Sequence, residues 1–214
     1  MKILAISTSS KNASVSLLED DKLIKELNNT NERTHSEKLM PLVDELLKSC
    51  NVLLSDINLI ACDVGPGSFT GIRIGVATVK ALAETKKIPI VSCSSLEALS
   101  YNVLDAENIC SILDARNNQV YAAIFDKDHN LVSDYLADDI NNLSPVFHKY
   151  SNLMFVGDGS KLLNNSNEFD NTIYSRNVGI CGYKKYLNHE IIDSDHLSVL
   201  YLRKSQAERL KENG

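Results

Sequence analysis

Tryptophan is absent from this sequence, and only 6% of its 214 residues are aromatic. The stacking platforms that hold single-stranded nucleic acid therefore have little to be built from. Lysine and arginine form no cluster: 22 basic side chains stand against 28 acidic ones, for a net charge of −6. Such a surface does not displace counterions from a polyanion, which argues against tight RNA or DNA binding by this chain alone. No apolar run reaches the roughly 18 residues of a membrane span. The opening MKILAISTSS has an apolar core too short for a signal peptide and reads as a strand, so a cytoplasmic protein is expected. The five cysteines (Cys50, Cys62, Cys93, Cys110, Cys181) are odd in number and form no CxxC pair, the pattern of buried free thiols in a reducing compartment.

What is present follows an alternating order. KILAISTS and ASVSLLED read as two strands, the second with Val15 and Leu17 on one side, and Asp20-Asp21-Lys22 turns into a third, KLIKELN. THSEKLMPLVDELLKSC has helical spacing, starts on the capping-box pattern Thr34-x-x-Glu37, and contains Pro41, which should kink it. The strand INLIACDV, a glycine-rich turn, a helix from about Phe69 to Lys86, the strand IPIVSC and a short helix in SLEALSYNVL follow. From about Asn108 the order begins again. NICSILD, QVYAAIF and LVSDYLA read as strands, LMFVGDG as a later strand, KLLNNSNEFDNTI as loop and RNVGICGYKKYLNHE as a final helix. Three antiparallel strands and then helix–strand–helix–strand, begun twice, predict an α/β fold of two similar mixed-sheet lobes, residues 1–105 and a smaller 106–214.

Four of the nine glycines fall in DVGPGSFTGIRIGV. A glycine turn ahead of a helix could hold phosphate, yet neither nucleotide motif is met. The dinucleotide fingerprint needs its third glycine one residue before Gly71, and the P-loop needs Gly-Lys-Ser/Thr where Gly71 is followed by Ile72. Gly67, Gly71 and Gly75 instead recur along one helix side. Ile72, Val76, Val79 and Leu82 form an apolar stripe, Ile74 and Ala81 lie opposite, and Arg73, Lys80 and Glu84 make the only polar edge. A helix apolar nearly all round is covered on more than one side. Glycine inside a helix costs about 1 kcal/mol, so two near its start point to a closely approaching backbone. The helix over 35–49 is similarly broad, its apolar residues sweeping ~160° against roughly 100° for an ordinary surface helix. These features predict a partner-binding surface of His35, Leu39, Met40, Val43, Leu46, Leu47, Gly71, Ile74, Gly75 and Thr78. The alternative, that the two helices simply cover each other, stays open. A patch of this kind also predicts a homodimer when the chain is free.

RTHSEKLMPLVDELL, GPGSFTGIRIG, IPIVSCSSLEAL, ILDARNNQVYAAIF and YLRKSQAE together resemble the bacterial TsaB family, whose members take part in making N6-threonylcarbamoyladenosine at position 37 of tRNAs reading codons that begin with A. The resemblance covers almost the whole chain. It implies the two-lobed actin-like ATPase (ASKHA, ribonuclease H-like) fold shared with sugar kinases and heat-shock ATPases. It also implies a non-catalytic scaffold subunit that binds and stabilises TsaD, the catalytic relative, through the helices at 35–49 and 71–86. The ATPase TsaE and the tRNA would be met only through the complex.

Residues that chemistry would need are replaced where the resemblance locates them. TsaD carries His-Leu-Glu-Gly-His, whose two histidines share a helix face and a metal; here the stretch reads Ser95-Leu96-Glu97-Ala98-Leu99. His35, His129, His148, His189 and His196 offer no substitute spacing, so no metal is expected. In ATPases of this fold the turn after the first strand carries an aspartate and glycines for Mg²⁺ and phosphate. Here ISTSSKNAS has Ser7 and no glycine, and the second-lobe LDARNNQ keeps only Asp114. Gly157-Asp158-Gly159 reads as a turn rather than an adenosine contact. No catalytic residue and no cofactor are expected. Two rival readings remain: an actin-fold kinase or ATPase acting on a small molecule, which needs ATP bound to this chain alone, and a metal-dependent protease, which needs a metal or a nucleophile–base pair.

Overall fold

The computed structural model describes residues 1–30, 35–163 and 169–203. β1 (Lys2–Ser7), β2 (Ala13–Glu19) and β3 (Lys22–Asn29) form an antiparallel meander. The chain passes through α1 (His35–Ser49) to β4 (Leu59–Asp63), through α2 (Phe69–Lys86) to β5 (Ile90–Cys93), and into α3 (Ser95–Ser100). β4 lies parallel to β1 and β5 parallel to β4, which gives the order β3-β2-β1-β4-β5. A second sheet is built from β6 (Asn108–Asp114), β7 (Gln119–Asp126), β8 (Leu136–Asp139) and, after α4 (Ile140–Phe147), β9 (Leu153–Val156). Its order, β8-β7-β6-β9, repeats four positions of the first, with β9 parallel to β6 as β4 is to β1. α5 (Ser175–Leu187) completes the described elements. This duplicated strand order gives the two similar mixed-sheet lobes expected from the sequence.

Period-two alternation decides the layers. Leu4 and Ile6 of β1 face α1 and α2, while Ile3 and Ala5 face α3 and α5. α3 also packs on β6 and β7 of the second sheet, and Ile109, Leu113, Ala123 and Phe125 join one cluster with α3 and α5, so one core is continuous between the sheets. α4 closes the far side through Ile140, Leu143 and Phe147. α5 crosses β1, β2, β4 and β5 closely because it presents Gly179 to Leu18 and Gly182 to Ala61.

Some details differ from the sequence reading. The strand expected at LVSDYLA is confined to β8; Leu131 forms a lone bridge to Phe125, and Ser133 Oγ then takes the Ile124 N–H, interrupting the ladder. α4 was not expected at all. α1 runs as one helix through Pro41, and Thr34 of the capping-box pattern lies outside the described residues. All five thiols are free, and burial pushes Cys62 and Cys110 well above the ordinary thiol range, which leaves them unreactive. Among the described residues no helix is long and apolar enough to cross a membrane.

Candidate functional site

The α1–α2 layer divides the expected partner residues into two sets. Leu39, Val43, Leu46 and Leu47 are at most 9% exposed and pack on Leu4, Ile6, Val15 and Leu17. They belong to the chain's own core, which corrects their assignment to a partner. The breadth of the α1 arc comes from the sheet on one side and α2 on the other. Met40 points out and is 48% exposed; the side chain of His35 lies outside the described residues. On α2, Ile72, Val76, Val79 and Leu82 are buried, whereas Ile74 and Thr78 are half-buried beside exposed Ala77 and Ala81. The structure therefore brings Ile74 and Thr78 together on an outward face.

Gly71 and Gly75 are turned the other way. A Cβ on Gly71 would stand 2.1 Å from the Thr8 carbonyl oxygen, and one on Gly75 would stand 2.3 Å from Thr8 Oγ1. The closely approaching backbone is this chain's own β1–β2 turn, which corrects the placement of both glycines in a partner surface. Thr8 Oγ1 donates to the Gly71 carbonyl at 2.7 Å, and the Ser68 N–H donates to the Ser9 carbonyl at 2.7 Å. Ser68 also caps α2 by accepting the Gly71 N–H. The first turn of α2 is thus packed into the β1–β2 turn rather than open to a ligand. On its other side Leu200 N–H donates to the Val64 carbonyl, and Tyr201 stacks on Phe69 and accepts a bond from Arg73 Nε at 2.9 Å.

At the centre of these turns lies Asp63, a residue the sequence reading passed over. It is 1% exposed and accepts from Ser7 Oγ at 2.7 Å, Ser9 Oγ at 2.5 Å, Ser95 Oγ at 2.6 Å and the Gly65 N–H at 2.9 Å. Ser7 and Ser95, which stand where the catalytic relatives are expected to carry Asp and His, converge on one carboxyl group. Burial pushes the Asp63 carboxyl above its ordinary range, and the four donors pull it only part of the way back. Serines crowded in STSS and SSLE, beside an aspartate ending an apolar strand, were the available signal.

The remaining candidates have structural partners. Leu99 is buried in the middle core. Glu97 closes a capping box with Ser94 and pairs with Lys185 at 2.8 Å. His129 stacks on Tyr101, while His148, His189 and His196 are exposed. Asp158 Oδ1 accepts the Asp114 N–H, and Asp114 Oδ1 accepts the Arg116 N–H, so both carboxylates bind turn backbone. Among the described residues no group of three or more His, Cys, Asp or Glu side chains is placed to hold a metal ion.

A family model described as TsaD: tRNA N6-adenosine threonylcarbamoyltransferase matches residues 27–194, most of the chain. The chain belongs to that family, in its TsaB branch. Among TsaB relatives, the tRNA threonylcarbamoyladenosine biosynthesis protein TsaB of Bacillus subtilis (strain 168) is 39% identical over 139 residues, covering 64% of this chain and 61% of that protein. The protein of the same name from Escherichia coli (strain K12) is 33% identical over 133 residues, 61% of this chain and 57% of that protein. The chain thus matches little more than half the length of these two TsaB relatives. YeaZ from Pseudomonas aeruginosa superposes with a TM-score of 0.83 at 23% identity, covering 94% of this chain and 99% of that one; at that identity the likeness speaks for the fold.

Proposed function

We propose that this chain is a non-catalytic scaffold subunit of the machinery that forms threonylcarbamoyladenosine in tRNA, and that it works by docking TsaD. The observation that carries the reading is the outward face of α2, where Ile74, Ala77, Thr78 and Ala81 lie exposed or half-buried, with Met40 exposed on neighbouring α1. A helix whose inner stripe is already buried in its own core, and whose strip of Ile74, Ala77, Thr78 and Ala81 is small and uncharged beside the polar edge of Arg73, Lys80 and Glu84, suits a second helix packed closely against it. The names of the TsaB relatives supply the process. The absence of chemistry is supported by Ser7 and Ser95, which bind Asp63 where catalytic groups would stand, and by the β1–β2 turn, packed against the start of α2. A partner that binds only the competent conformation of TsaD raises its population. TsaE and tRNA are then met through the complex, in the cytoplasm. Residues 1–105 and 106–214 are the two repeats in this reading, the first carrying the docking helices, with α5 of the second crossing back onto the first sheet.

Free chain should self-associate through the same face, since a twofold pairing of like patches is the commonest solution. Sedimentation of the chain alone, and mixed with TsaD from the same cell, tests both points. The expected result is a concentration-dependent homodimer that gives way to a complex containing TsaD. A chain that stays monomeric at high concentration and ignores TsaD contradicts the reading.

A further inference from the structure

Asp63 holds together segments far apart in sequence. Ser7 comes from the end of β1, Ser9 from the β1–β2 turn, Gly65 from the glycine turn and Ser95 from the first residue of α3. The turn it grips is the one that in turn holds α2: the Ser9 carbonyl accepts the Ser68 N–H, and Thr8 Oγ1 donates to the Gly71 carbonyl. The Ser95 N–H donates to the Gly65 carbonyl at 2.8 Å, closing the circuit between the glycine turn and α3. Among the described residues no salt bridge reaches Asp63. A buried carboxyl group without a counter-ion is tolerated only where hydrogen bonds replace its hydration, and here four donors do so.

We propose that Asp63 is a positioning residue for the docking helix: its carboxyl group is an internal ligand, seated in a cradle of three hydroxyls and one amide, and it fixes the start of α2 relative to the sheet. This rests on the reading of the α2 face as the TsaD surface. The cradle is specific to a carboxyl group rather than to a filled volume, because each oxygen takes two donors. Deleting the group leaves four donors with nothing to bind, a different defect from an apolar cavity. A free carboxyl compound of the same size should therefore refill it.

The test is chemical rescue of Asp63→Ala by formate, which replaces the missing carboxyl group atom for atom. Melting temperature and amide exchange at Ser68 and Ile72 are followed in formate and in sodium chloride of equal ionic strength. Asp63→Ala should melt lower and exchange faster at these amides, and formate but not chloride should reverse both, with TsaD affinity recovering in parallel. Val79→Ala, an apolar cavity on the same helix, should show no formate response. If Asp63→Ala does not fold, Ser9→Ala removes one donor and should raise exchange at Ser68 by about tenfold, a loss of local protection without global unfolding. Indifference of Asp63→Ala to formate, an equal response in Val79→Ala, or unchanged exchange in Ser9→Ala overturns the proposal. Since the exchange measurements need no partner, they stand even where wild-type chain fails to bind TsaD, which would instead remove the docking reading.

Discussion

Gly75 shows how a single residue's role turns on which neighbour it faces. Its missing side chain makes room for Thr8, so Gly75→Leu gains intrinsic helix propensity yet forces the β1–β2 turn away from α2. The net effect should be a loss of stability of about 1–3 kcal/mol, the usual range for overfilling a packed interior. Melting should fall, and TsaD affinity should decline only as far as unfolding explains. A variant as stable as wild type but weaker in TsaD binding would put the glycine at the partner interface instead. Asp63 gives the second prediction. Its folded pKa is raised, by burial first, above that of the unfolded chain. Its contribution to stability is therefore fully present below the unfolded value and is lost as pH rises through the folded one. Asp63→Asn cannot titrate, so the stability of wild type relative to this variant should grow as pH is lowered from neutral, as read by denaturant unfolding at several pH values. A difference that shrinks toward acid would mean the ionised carboxylate is the favoured form. Sequence alone could not reveal this residue, because its four partners are 2 to 56 positions away and only the fold assembles them.

At the scale of elements, α2 was legible in outline and ambiguous in orientation. The stripe Ile72, Val76, Val79, Leu82 marked a helix and its inner face, and the structure buries all four. The repeat of Gly67, Gly71 and Gly75 announced a close backbone neighbour. Periodicity cannot say whether that neighbour is the chain's own or another's, because both satisfy the same spacing. α1 illustrates the same limit: Leu39, Val43, Leu46 and Leu47 look as available as Met40 until the sheet and α2 are in place. α4 escaped notice because INNLSPVF is short and contains Pro145. The element-scale prediction concerns Ala77, which is exposed on the outer face of α2. Ala77→Arg should leave melting nearly unchanged, within about 0.5 kcal/mol as for other surface substitutions. It should weaken TsaD binding about tenfold or more, because the guanidinium would be buried without a partner. Undiminished affinity, measured by calorimetry, would move the docking surface elsewhere.

For the whole molecule, the fold class was legible because the strand order is written twice, as three antiparallel strands and a parallel fourth in each sheet. Less legible was the way α5 crosses back onto the first sheet, since nothing local marks Gly179 and Gly182 as sheet-facing. The core shared by the two sheets backs the sheet on which the α1–α2 layer packs, as the proposed docking role requires. The most direct measurement is the rate of tRNA threonylcarbamoylation by the reconstituted system as this chain is titrated in, comparing wild type, Ala77→Arg and Asp114→Ala/Asp158→Ala. A docking subunit without chemistry requires Ala77→Arg to shift the half-saturating concentration upward while reaching the same plateau. It requires the double aspartate variant to follow the wild-type curve. A plateau reduced beyond about a hundredfold in the aspartate variant, with complex assembly intact, corresponds to roughly 2.7 kcal/mol of transition-state stabilisation and would place catalytic groups in this chain.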